Sequence, residues 1–177
     1  MPYFENIKVL FIHIPKTGGM NVENYLFLIS NSKPSIKNLV SYFINSINIK
    51  INNHSLQHLT FCEIYDLQSY FNINFNKIKI FTVVRNPYDR IISDLLFLNI
   101  ISDKSSKKNV EDEIRKYINS PSDYDNHKTL QYKFILDKDG NVNKNIIVLK
   151  TENLNTDMIN LGYSDFEKFC NFYKSSK

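Results

Sequence analysis

Lys16-Thr17-Gly18-Gly19 and Arg85 are the residues of this 177-residue chain whose types and setting suit chemistry on an anion. Two adjacent glycines let the backbone approach a ligand closely, and Lys16 adds a mobile cation. A guanidinium such as that of Arg85 holds two oxygens of a phosphate at once. Together they describe a socket for a phosphate or sulfate ester. The order of the loop matters: Lys16 precedes the glycines and no earlier glycine opens it, so it is not the nucleotide-triphosphatase loop G-x-x-x-x-G-K-[ST].

Elements on either side must position these groups. An apolar run from Ile7 to Ile14 feeds into the Lys16 loop, and Val22, Tyr25, Leu26 and Ile29 follow at helical spacing. That is strand, loop, helix, with the positive end of the helix dipole at the glycines. A second such unit begins with the β-branched strand Lys77 to Val84, turns through Arg85-Asn86-Pro87-Tyr88-Asp89-Arg90, and continues as an apolar helix through Leu98. In open α/β sheets ligands sit outside the carboxyl ends of the strands, where both loops lie, so Lys16 and Arg85 are expected to face one ligand. Asn145 to Lys150 reads as a third strand, covered on both faces because its apolar run is continuous.

The remaining readings are coarser. Helices are expected over Ile36 to Ile51, Glu63 to Phe71, Val110 to Ile118, His127 to Leu136 and Asp165 to Tyr173. Asn52 to Ser55 reads as a turn, Ser102 to Asn109 as a mobile polar loop, and Asp137 to Asn141 as a turn on Asp-Gly chemistry. The length fits one domain, residues 1–177, and 42% apolar with 14% aromatic residues is a globular composition. A formal charge of +4, scattered and resting on only three arginines, gives no support for a nucleic-acid partner. Cys62 and Cys170 belong to no CxxC pattern, so neither a disulfide framework nor a metal site is indicated. No apolar run reaches the ~18 residues of a membrane span and no leader is evident, so a cytoplasmic location is expected.

Two motifs taken together carry a resemblance. Pro15-Lys16-Thr17-Gly18-Gly19 after a strand ending His-Ile resembles the 5′-phosphosulfate loop of sulfotransferases that use 3′-phosphoadenosine 5′-phosphosulfate (PAPS). Val83-Val84-Arg85-Asn86-Pro87-Tyr88-Asp89-Arg90-Ile91-Ile92-Ser93 resembles their 3′-phosphate motif, in which an arginine and a serine eight residues later clamp the phosphate. Gln57-His58-Leu59-Thr60-Phe61 is similar to the general-base segment of carbohydrate sulfotransferases of the heparan sulfate 2-O-sulfotransferase type. Glu152-Asn153-Leu154 is similar to their Glu-Asn-Leu element, and His127 with Gln131 to a His/Gln pattern on the acceptor side. The resemblance implies an α/β, three-layer, P-loop NTPase-like sulfotransferase fold, with a central, mainly parallel sheet flanked by helices.

It also implies a site. Lys16, Thr17, Gly18, Gly19, Met20 and Asn21 would hold the 5′ end of PAPS, and Arg85 and Ser93 its 3′-phosphate. Met20 and Asn21 stand where the family carries a hydroxyl residue. The implied reaction is in-line transfer of the sulfuryl group to an acceptor hydroxyl, on a saccharide or glycoconjugate, with 3′-phosphoadenosine 5′-phosphate (PAP) as the leaving product. Lys16 would stabilise that leaving group and His58, with an ordinary pKa near ~6.5, would remove the acceptor proton without a metal. His54 is the next candidate base, and His13, inside the strand, reads as structural. A PAP-binding module without turnover and a nucleotide kinase are the alternative classes.

Overall fold

The computed structural model describes residues 3–31 and 55–175. Its centre is a four-stranded sheet in the order β1 (Tyr3–Phe4), β2 (Val9–Ile12), β3 (Lys79–Val84), β4 (Ile146–Lys150). β2, β3 and β4 run parallel, with Leu10 opposite Ile80 and Ile80 opposite Ile146, while β1 is antiparallel to β2. This is a mixed α/β fold whose three parallel strands all end at one edge.

Alternation along the strands divides the core in two. Leu10, Ile12 and Ile80 pack with Leu59, Ile64 and Phe134 on one face. Val9, Phe11, Phe81 and Val83 pack with Val22, Leu26, Met158 and Phe166 on the other. Among the described residues, α1 (Gly19–Ile29), α2 (Phe61–Asp66), α5 (Leu154–Asn160) and α6 (Phe166–Ser175) supply most of those partners, and α3 (Pro87–Phe97) and α4 (Lys107–Asn119) lie outside both clusters. Phe11, Phe81, Phe134 and Phe166 are wholly buried, and each contributes on the order of 2–3 kcal/mol through its apolar area.

Local chemistry explains three of the six described helix starts. Thr60 and Glu63 form a reciprocal capping box that sets α2 two residues earlier than the apolar spacing suggests. Asn86 accepts from the Tyr88 N–H, and Pro87 opens α3 with its preset φ. Ser106 caps α4 through the Asn109 N–H. The stretch expected to be a mobile loop therefore ends in helix from Lys107.

Other readings also change. β2 is shorter than the apolar run, because Glu5–Ile7 is a 3₁₀ turn and His13 and Ile14 already belong to the loop. β4 is not covered on both faces: Ile147 and Val148 are about two-fifths exposed (42% and 44%) on the last strand of the described sheet. His127 to Leu136 is not one helix; a turn carries His127, and a 3₁₀ segment follows at Gln131–Ile135. α5 and β1 were not anticipated. The expected helix over Ile36 to Ile51, Asn52 and Asn53 of the expected turn, and His54 lie outside the described residues.

Candidate functional site

The site forms where β2, β3 and β4 end. A cavity of about 300 Å³ there is lined by Lys16, Gly18, Gly19 and Met20 from the first loop and by Arg85, Ser93 and Phe97 from the second loop and α3. Gln57, His58 and His127 complete its wall, with His13 at its base. Lys16, His58 and the Arg85–Ser93 pair come from three separate stretches of sequence, and the fold brings them to one cavity.

The first loop is held in an unusual conformation. Lys16 and Gly18 both have positive φ, 65° and 82°, a region that costs an ordinary side chain about 1–2 kcal/mol. Strain of this kind persists where the surroundings fix it. Here the Thr17 hydroxyl donates to the Ile14 carbonyl at 2.9 Å and the Thr151 hydroxyl donates to the Thr17 carbonyl at 2.6 Å. Thr151 also reaches the Val84 carbonyl at 3.0 Å, so one hydroxyl from the end of β4 staples both loops. Thr17 is fully buried with its hydroxyl engaged by Ile14, and it does not line the cavity. Asn21 lies in the first turn of α1 and its N–H donates to the Gly18 carbonyl.

α1 starts at this loop, and its cap residue Gly18 brings no side chain to its N-terminus. The partial positive charge of those N–H groups is therefore unneutralised by a cap. Lys16 lies with its Nζ 4.0 Å from the centre of the Phe97 ring, an attraction between a cation and the face of an aromatic. Burial together with the nearby Arg85 pushes the Lys16 pKa down, against the opposing pull of Asp94. Arg85 donates from Nη1 to the Lys16 carbonyl at 3.4 Å. Its backbone is fixed by Gln131, whose amide accepts from the Arg85 N–H at 2.9 Å and donates to its carbonyl at 2.8 Å. Glu152 accepts from the Asn86 N–H at 2.6 Å. Gln131 and Glu152 thus hold the second loop by its backbone.

Three histidines form the floor and wall, each with its own carboxylate. His13 is paired through Nδ1 with Glu23, and Gln57 donates to both oxygens of that carboxylate, at 3.1 and 2.9 Å. His127 is paired through Nδ1 with Asp94 at 2.5 Å, and the Tyr117 hydroxyl donates to the other Asp94 oxygen. His58 is paired through Nδ1 with Asp125 at 2.7 Å. The rings touch edge to face, His58 lying 5.1 Å from His13 and 5.4 Å from His127 between centroids. Burial lowers the His58 pKa and the two neighbouring histidines add to that, outweighing the Asp125 carboxylate. A neutral imidazole at neutral pH is a competent proton acceptor.

Donor atoms of His58, Asp125 and His127 lie within 4.8 Å of one another, close enough to share a divalent cation. His58 and Asp125 are already hydrogen-bonded to each other, Nδ1 to Oδ2. Of the residues singled out from the sequence, Lys16, Gly18, Gly19, Met20, His58, Arg85 and Ser93 line the cavity, as do His13 and His127. The carboxylates Glu23, Asp94 and Asp125 and the loop clamps Thr151 and Gln131 were not singled out for these parts. Arg90, also overlooked, donates to the carbonyls of Pro15 at 2.9 Å, Thr129 at 3.0 Å and His127 at 2.7 Å, tying the first loop to the turn that carries His127.

A family model for the Sulfotransferase family matches residues 3–175. The chain belongs to that family, and sulfuryl transfer is the chemistry the family supports. No curated protein and no solved structure matches it. Among the described residues, no helix is long and apolar enough to cross a membrane.

Proposed function

We propose that this protein transfers the sulfuryl group of PAPS to a hydroxyl of a saccharide or glycoconjugate. One observation carries the reading: Lys16, Gly18, Gly19, Arg85, Ser93 and His58 line a single cavity at the ends of the parallel strands. The donor chemistry fits those groups. The N-terminus of α1 and Lys16 suit the 5′-phosphosulfate, in a P-loop-like arrangement, and Arg85 with Ser93 suits the 3′-phosphate.

In the reaction, the acceptor oxygen attacks sulfur in line, forming an S–O bond as the S–O bond to PAP breaks. The bonding pair leaves on the PAP phosphate oxygen, where the Lys16 ammonium offsets the charge. The acceptor proton passes to Nε2 of His58 and then to solvent, so the products are PAP, the sulfate ester and one proton. Positioning of the two substrates supplies most of the acceleration, and the base contributes ~10²–10⁴-fold.

The test is transfer of ³⁵S from labelled PAPS to a panel of desulfated glycosaminoglycan oligosaccharides, with simple alcohols and phenols as controls. Label recovered in a saccharide ester supports the reading. A protein that binds PAP yet labels no acceptor is a binding module, and the proposal fails.

A further inference from the structure

We propose that Asp125 is the positioning residue for the His58 base, delivered to it by a strained turn that serves the site with three consecutive side chains. This rests on the sulfuryl-transfer reading above. Asp125 accepts at Oδ2 from His58 Nδ1 at 2.7 Å, and its carboxylate is itself anchored by the Ser55 N–H at Oδ1 and the Ser55 hydroxyl at Oδ2. Asn126 donates from its amide to the His58 carbonyl at 2.9 Å, which fixes the main chain of the same histidine. His127, next in sequence, lines the cavity.

The turn adopts a costly conformation to do this. Asp125 and Asn126 both have positive φ, 50° and 63°, at consecutive non-glycine positions. Asp and Asn tolerate that region better than other residues, yet two in succession still cost stability. Both side chains bond His58, and each is held by a second neighbour, Asp125 by Ser55 and Asn126 by the Thr129 hydroxyl.

The chemical consequence concerns the tautomer. With Nδ1–H donated to a carboxylate, the lone pair of a neutral imidazole lies on Nε2, the nitrogen not engaged with Asp125. The other two histidines are paired in the same way, but their pairs are more deeply buried: 4% and 2% exposed for His13 and Glu23 and 4% and 3% for His127 and Asp94, against 11% and 17% for His58 and Asp125. Among the described residues only the His58 pair combines a clamped carboxylate with this partial access.

Asp125→Asn tests the assignment without changing shape. Because the Ser55 N–H claims Oδ1, the amide nitrogen of the new side chain comes to face His58 Nδ1 and moves the ring proton to Nε2. Long-range ¹H–¹⁵N spectra of the PAP-bound protein, with the His58 signal assigned from His58→Gln, are expected to show Nδ1–H in the wild type and Nε2–H in the variant. With PAPS and an oligosaccharide acceptor, kcat is expected to fall about 10²-fold or more while PAP affinity stays within about twofold.

A wild-type His58 protonated on Nε2 overturns the proposal before any variant is made. So does an Asp125→Asn protein with an unchanged His58 spectrum and unchanged kcat. If Asp125→Asn fails to fold, the wild-type spectrum still decides. A wild type that binds PAP and labels no acceptor contradicts the reaction instead, while the spectra continue to report what Asp125 does to His58.

Discussion

A Cβ added to Gly19 would lie 2.4 Å from the ring of His13, closer than any real Cβ contact. Both residues are buried, and His13 is held from the far side by Glu23 and Gln57, so the ring cannot easily move away. The second glycine of the loop is therefore required by packing against the histidine, not by φ, whereas Gly18 is required by its φ of 82°.

Gly19→Ala is expected to destabilise the fold by about 1–3 kcal/mol through overpacking and to weaken PAP binding by displacing the start of α1. Urea unfolding and PAP titration measure the two effects. Normal stability with normal PAP affinity would mean that the loop does not sit against His13.

Lys16→Ala is expected to reduce kcat by about 10²-fold or more and PAP affinity by less, because the ammonium acts most on charge that develops as PAP leaves. Steady-state kinetics beside PAP calorimetry separate the two. Phe97→Ala removes the ring over which the ammonium lies and should leave stability within about 0.5 kcal/mol, since Phe97 is 55% exposed.

Arg85→Ala should weaken PAP by about 10- to 100-fold and leave adenosine 5′-phosphosulfate, which lacks the 3′-phosphate, nearly unaffected. Equal losses for both nucleotides would place the guanidinium elsewhere.

Stability should depend on pH in two steps. Burial alone would raise Asp94, Asp125 and Glu23, but their hydrogen bonds and the paired histidines hold all three below the ordinary carboxylate range. A folded pKa below the unfolded one gives stability that is present above the unfolded pKa and lost as pH falls, so these groups act below about pH 4.5. His58 is also depressed, by burial and by the facing His13 and His127 rings despite Asp125, so the unfolded chain takes up its proton first. That loss begins below about pH 6.5. Melting temperature should fall from pH 7 to 5 and again below 4.5; His58→Gln should flatten the first step.

The two anion loops were legible because each carries its signal in a short run: a strand pattern, then Lys-Thr-Gly-Gly or Arg-Asn-Pro, then a helix pattern. Their convergence followed from the rule that ligands gather at the ends of parallel strands. The Thr60/Glu63 capping box was written just as locally and would have fixed the start of α2. The carboxylate partners were not legible, since Asp125 lies 67 residues from His58 and Asp94 lies 33 from His127. One chain offers many aspartates at such separations, and only the fold selects among them. His127 and Gln131 have helical spacing, yet a turn and a 3₁₀ segment separate their tasks, one paired with Asp94 and the other bracketing Arg85.

The most direct measurement of the central claim is thermal unfolding with PAP, using AMP and ATP at the same concentration as controls. PAP at ~100 times its dissociation constant should stabilise by about 2.7 kcal/mol, read as a clear rise in melting temperature that the controls do not produce and that Arg85→Ala, at the same PAP concentration, cuts to about 0.4–1.4 kcal/mol. No rise with PAP at high concentration, or an equal rise with ATP, would contradict a donor site built from the Lys16 and Arg85 loops.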